Sequence, residues 1–144
     1  MFIKQITMFI ENRPGRISEF TTLLAENDID LVAISVADTT NFGILRAIVN
    51  DYEKAASLLL KSGYTVNVTD VLSVAVPDTP GGLSGVMKLL KENDVSIEYL
   101  YSLVNRIEDQ AIIILRVNNP QNAEIVFEKT GVRMLSHDDI RNAK

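Results

Sequence analysis

The strongest constraint on this chain is that it repeats itself. Residues 13–31 read RPGRISEFTTLLAENDIDL and residues 79–97 read TPGGLSGVMKLLKENDVSI. At an offset of 66 (81 − 15), Pro14, Gly15, Ser18, Leu23 and Leu24 coincide with Pro80, Gly81, Ser84, Leu89 and Leu90, and Glu26, Asn27 and Asp28 coincide with Glu92, Asn93 and Asp94. Further on, ILRAIVN at 44–50 aligns with IIILRVN at 112–118, and Gly63 with Gly131, at an offset of 68 (131 − 63). Self-similarity at a near-constant spacing marks a duplicated structural unit. Two domains of one fold are therefore expected, at 1–70 and 71–144.

Each copy carries the same succession of patterns. Residues 2–10 alternate, with Phe2, Ile6, Met8 and Ile10 on one face and Gln5 and Thr7 on the other, which is strand periodicity. Ile17, Phe20, Leu23 and Leu24 then fall at helical spacing, in a helix that starts near Pro14 and ends near Asn27 and Asp28. A Val- and Ile-rich strand at 29–37 leads into the turn residues Asp38, Thr39, Thr40 and Asn41, and a strand at 42–49 closes a hairpin. Asp51 is placed to cap a helix at 52–62 that Gly63 ends, and a strand follows at 64–69. The second copy predicts a strand at 71–76, a helix at 82–93, strands at 95–104 and 111–117, a helix at 121–130 and a strand at 132–137.

The order β-α-β-β-α-β is the ferredoxin-like arrangement, an α+β fold with two helices on one face of an antiparallel sheet. The second strand of each middle hairpin is apolar on both sides: Ile44 and Ile48 as well as Leu45 and Val49, Ile112 and Ile114 as well as Ile113 and Leu115. A half-solvated sheet alternates instead. The open sheet face, or its edge, is therefore expected to be covered by another domain or chain. Thr65 through Val76 reads as nearly continuous strand, with no flexible linker between the copies.

Composition narrows the function. A net charge of −5 with scattered Lys and Arg argues against nucleic acid. Tyr99 and Tyr101 share a strand face, as aromatics do in RNA-binding sheets, but Ala33 and Ser35 stand at those places in the first copy. The absence of Cys excludes disulfides, thiolate zinc sites and a Cys nucleophile. No apolar run reaches the roughly 18–20 residues of a membrane span, and the start MFIKQ lacks the pattern of a secretion signal. The expectation is a cytoplasmic protein with no membrane partner. His137 has no second His with which to share a metal and reads as a solvated tail residue, and Gly81-Gly82 lacks the Lys of a phosphate cradle. Neither a catalytic constellation nor a cofactor is indicated.

Both copies share a Pro-Gly loop between the first strand and the first helix. Glycine allows close backbone approach, and the helix start offers unpaired N–H groups and the positive end of its dipole. That combination suits a carboxylate; a tight turn with no ligand is the alternative.

The loop Glu11-Asn12-Arg13-Pro14-Gly15, with Ile17 and the strand starting at Ile29-Asp30-Leu31, resembles an ACT domain, especially the serine-binding regulatory domain of phosphoglycerate dehydrogenase. The second loop, Val76-Pro77-Asp78-Thr79-Pro80-Gly81, resembles the ACT domains of aspartate kinases. The resemblance implies a regulatory protein whose amino-acid ligand lies between two ACT domains, and a homodimer. It places Asn12, Arg13, Gly15, Arg16 and Ile17 on the loop side of one site and Asp30 on the partner side. In the second copy Asp78, Gly81, Gly82 and Leu83 match the loop and Ser96 matches Asp30. Ile10 stands where the serine-binding relative has His, and Asp30 where it has Asn. The latter exchanges a donor for an acceptor and favours a ligand ammonium or basic side chain. An alternative implication is a regulatory subunit, similar to the small subunit of acetolactate synthase, acting in trans on an amino-acid biosynthetic enzyme. A purely structural duplicated scaffold is a third reading.

Overall fold

The computed structural model describes residues 1–38 and 41–144; the predicted turn residues Thr39 and Thr40 lie outside the described residues. The first repeat runs β1 (Ile3–Glu11), α1 (Arg16–Glu26), β2 (Leu31–Asp38), β3 (Phe42–Val49), α2 (Tyr52–Lys61) and into β4 (Val66–Pro77). The second continues from β4 through α3 (Gly82–Glu92), β5 (Ile97–Ile107), β6 (Gln110–Val117), α4 (Pro120–Thr130), β7 (Arg133–Met134) and α5 (His137–Arg141). The strands expected at 64–69 and 71–76 are one strand. Its residues up to Thr69 pack in a compact unit formed by Lys4–Thr69, and those from Asp70 in a unit formed by Asp70–Lys144 together with Met1–Ile3.

In the unit Lys4–Thr69 the strand order is β2-β3-β1-β4, with β3 antiparallel to both β1 and β2. Ile6, Met8 and Ile10 of β1 and Leu45, Ala47 and Val49 of β3 face Phe20 and Leu24 of α1 and Ala55 and Leu59 of α2. Fully burying side chains such as Phe20 and Leu24 contributes roughly 1.5–3 kcal/mol each, so α1 is held mainly by its packed stripe. Gln5, expected on the outer face, is buried. Its Nε2 donates to Thr7 Oγ1 at 3.0 Å, and Thr7 Oγ1 lies 3.2 Å from Thr69 Oγ1, which gives a buried polar group the partner it needs.

The repeated Glu-Asn-Asp run has a local reason. Asn27 Nδ2 donates to the Leu23 carbonyl and Asn93 Nδ2 to the Leu89 carbonyl, both at 2.8 Å, and Asp28 and Asp94 both turn left-handed at φ 56°. These bonds satisfy carbonyls that a helix end leaves open. At the next helices Asp51 accepts from the Lys54 amide and Asn119 from the Asn122 amide, both at 3.1 Å.

The unit Asp70–Lys144 has the order β5-β6-β4-β7. Leu72, Val74 and Val76 of β4 and Ile113, Leu115 and Val117 of β6 face Val86 and Leu90 of α3 and Phe127 of α4. Here two sequence expectations fail. The strand predicted at 132–137 is only Arg133–Met134, and His137 opens α5 instead of lying in a solvated tail. The cause is a capping box: Ser136 Oγ accepts from the Asp139 amide at 3.1 Å while Asp139 Oδ2 accepts from the Ser136 amide at 2.8 Å. The chain leaves β7 at one edge of the sheet, and Lys144 exchanges two backbone hydrogen bonds with Arg106 on β5 at the other edge. Residues 135–144 thus cross the sheet face that α3 and α4 leave open. Leu135 and Ile140 are buried there, as are Ile112 and Ile114 beneath. In this unit residues 135–144 cover part of the apolar outer face that the sequence pattern leaves for another domain or chain.

Replacing Ser136 with Ala should lower stability by about 1 kcal/mol, measured by urea unfolding, because the first turn of α5 loses its cap. The amide of Ser136 bonded to Asp139 holds that carboxyl below its usual range, and Ser136 Oγ and Arg133 act in the same direction against desolvation. A carboxyl depressed in the folded state stabilises above its unfolded pKa, and that contribution is lost as pH falls through the folded one. Circular dichroism should therefore show the tail segment loosening below about pH 4, and Asp139→Ala should remove this step.

Candidate functional site

The two Pro-Gly loops are the places where strand hands over to helix without a side-chain cap. Gly15 (φ 88°, ψ −11°) and Gly81 (φ 89°, ψ −8°) take the N-cap positions of α1 and α3 in the left-handed region. At each helix start the first amide is used within the loop: Arg16 N–H donates to the Arg13 carbonyl at 3.4 Å, and Gly82 N–H to the Thr79 carbonyl at 3.0 Å. No side chain among the described residues caps either helix. The next amides, those of Ile17 and Ser18 and of Leu83 and Ser84, face outward at the positive ends of the helices.

Beside the first loop lies a cleft of about 60 Å³, lined by Ile10, Glu11, Asn12, Arg13, Ile17, Val36, Asp38 and Gly43. Pairing of β1 with β3 builds it, because Glu11 lies opposite Phe42 and Ile10 opposite Gly43, and Asn12 N–H donates to the Asn41 carbonyl at 3.1 Å. The hairpin end is therefore brought against the loop. Of the sequence-predicted residues, Asn12, Arg13 and Ile17 line this cleft.

Arg16 does not line it. Its guanidinium lies 2.8 Å from Glu19 and 5.3 Å from the centre of the Tyr64 ring, so it is spent on the outside of α1. Arg13 is turned toward Glu11 at 2.9 Å. Asp30 sits beyond the other end of α1, and an 11-residue helix is about 16 Å long. Loop and Asp30 of one unit cannot reach one small ligand together. The Asp30 backbone is held instead by Asn50: Asp30 N–H donates to Asn50 Oδ1 at 3.0 Å and Asn50 N–H to the Asp30 carbonyl at 3.1 Å. The same clamp joins Ser96 and Asn118, at 2.9 and 3.0 Å. Its signal was the Asn ending both ILRAIVN and IIILRVN.

The second loop is built differently. Asp78, at the position of Asn12, is bound by Arg106 of β5 at 2.7 Å. Gly82, at the position of Arg16, lies so close to the Pro77 carbonyl that an added Cβ would collide with it. Gly81 caps α3, Leu83 lies in its first turn, and Ser96 sits past its far end. Among the described residues no group of three His, Cys, Asp or Glu is placed to hold a metal, and no helix is long and apolar enough to cross a membrane.

An ACT domain pair family matches residues 1–143. The chain belongs to that family. A structure of a protein from Bacteroides thetaiotaomicron is similar to this ACT domain pair with 37% identity and a TM-score of 0.91, over 99% of this chain and 97% of that one. The ligand-free regulatory subunit of aspartate kinase from Thermus thermophilus is similar in fold, with 17% identity and a TM-score of 0.62 over 88% of this chain and 91% of that one. The corresponding subunit from Thermus flavus gives 15% and 0.61 over 89% and 92%. No relative is found among the curated proteins. The ACT assignment accounts for the two ferredoxin-like repeats read from the residues.

The loops predict destabilisation by a methyl group from different causes, and a larger loss at Gly82. Gly82→Ala should destabilise by about 1–3 kcal/mol through overpacking against Pro77. Gly15→Ala meets no atom within 4 Å and should cost only the left-handed strain, about 1–2 kcal/mol. Denaturant midpoints of the two variants check the order.

Proposed function

We propose that this ACT domain pair is a non-catalytic regulatory protein that binds an amino acid beside its first Pro-Gly loop and does so as a homodimer. The observation that carries this is the cleft next to an uncapped helix start, with Asp38 among its lining residues. Outward amides of α1 suit the carboxylate of a zwitterion. Asp38 suits its ammonium, since Glu11 is already paired with Arg13. Asp38, read from sequence as a turn residue, is thus the acid within reach of the loop, and Asp30 would have to come from another copy.

The cleft is shallow and open on one side, so it does not enclose a ligand by itself. A second copy supplies the missing wall. Ile17, Ile34 and Val36 are exposed beside the cleft, and β2 is the edge strand of its sheet, which leaves both apolar surface and backbone groups for a partner. Regulation of an amino-acid biosynthetic enzyme in trans extends the same reading. The Thermus regulatory subunits, whose fold is shared, are the motive for testing it by co-purification from the native host.

A thermal-shift screen against the twenty amino acids tests binding. A ligand at about 100 times its Kd adds about 2.7 kcal/mol of apparent stability. At least one amino acid should shift Tm by several degrees. Asp38→Ala should abolish that shift while leaving the unliganded Tm nearly unchanged, because Asp38 lies at a strand end. No shift with any amino acid overturns the reading, and a shift that survives Asp38→Ala overturns the assignment of the ammonium. Sedimentation should show a dimer that Ile34→Asp dissociates.

A further inference from the structure

We propose that residues 135–144 form a strap that locks the second Pro-Gly loop and opens independently of the sheet beneath it. The strap is fastened at two ends. Leu135 N–H donates to the Ser73 carbonyl at 2.7 Å. At the far end Lys144 N–H donates to the Arg106 carbonyl at 3.1 Å, Arg106 N–H donates to the Lys144 carbonyl at 3.3 Å, and Asn105 Nδ2 donates to the Ala143 carbonyl at 3.3 Å. The backbone of Arg106 is thereby pinned at the edge of β5. The guanidinium of that same residue holds Asp78, the residue that opens the second loop, at 2.7 Å. Strap, Arg106 and Asp78 form one contiguous path.

The first repeat has no such path. Asn12 stands at the place of Asp78 and lines an open cleft, and the chain after Thr69 continues as β4 instead of turning back across the sheet. The duplicated fold therefore carries one loop with an open cleft and one loop held by its own chain.

The strap is also a thinly anchored layer. Its helix is five residues long, and only Leu135 and Ile140 are buried apolar anchors. Among the described residues, two buried polar atoms in this layer lack partners: Ser73 Oγ, on the strand to which Leu135 is fastened, and His137 Nε2, on the strap itself. A buried polar atom without a partner favours the state in which water reaches it. Opening the strap hydrates both atoms and breaks the two end fastenings and the burial of Leu135 and Ile140, whereas opening the sheet breaks the ladders of β4, β5 and β6. Segments with few buried contacts open with lower free energy than the whole fold. Once the strap lifts, Arg106 loses its brace and Asp78, beside the uncapped start of α3, is released.

Hydrogen–deuterium exchange of the full chain in native buffer tests this without a ligand, so its failure would leave the first-loop site untouched. Peptides covering 135–144 should exchange at least tenfold faster than those from β4 and β6. Ser73→Ala removes one orphaned atom without removing an anchor and should slow strap exchange several-fold. Ile140→Asp should raise exchange in 135–144 and in 78–84 together, and Arg106→Gln should raise it in 78–84 while the β4 and β6 peptides stay protected. Strap amides that exchange only with global unfolding overturn independent opening, as does a Ser73→Ala chain that exchanges no slower. Loop amides unmoved by both Arg106→Gln and Ile140→Asp overturn the lock. If Ile140→Asp does not fold, the Ser73 and Arg106 variants decide alone.

Discussion

One backbone angle organises each half of this protein. At Gly15 and Gly81 the chain takes a left-handed turn, which lets an extended strand become a helix within a few residues and sets the helix start beside the strand it left. A residue with a Cβ pays for that angle. Everything that follows in each repeat depends on the entry it sets: the stripe of α1 facing β1 and β3, the hairpin end brought to the loop, and the outward amides at the head of the helix. The turn that makes the fold compact is also the one that leaves donors unspent.

Much of this was legible in the residues. The repeat, the succession of elements and the caps at Asp51 and Gly63 are all local chemistry written in short windows, and the structure follows them closely. The Pro-Gly loops were equally plain. What was not legible depends on partners far along the chain. Arg16 looks like a site residue until Tyr64, far along the chain, is seen beneath its guanidinium. Asp38 carries the composition of a turn, and only the pairing of β2 with β3 and of β3 with β1 shows that it lines the same cleft as Asn12. The strap escaped because two apolar residues five apart make no helical stripe. Ser136 and Asp139, three apart, were its one written sign.

Duplication normally implies two equivalent sites, yet the copies have diverged where it matters most. They agree in the helix ends and in the clamps Asn50–Asp30 and Asn118–Ser96, which shape the unit. They disagree at the loops, where Asn12 borders an open cleft and Asp78 is neutralised by Arg106. Features that hold the fold recur in both copies, while the residues of the two loops differ.

Strand β4 carries a last consequence. It completes one sheet with its first residues and begins the next with the remainder, while Phe2, from the start of the first repeat, packs against the core of the second unit. The two copies are thus no longer interchangeable modules. A cut at the repeat boundary would sever a strand and take an aromatic side chain from the core it serves. Recombination in evolution can therefore transfer this pair whole far more readily than it can pass on either half.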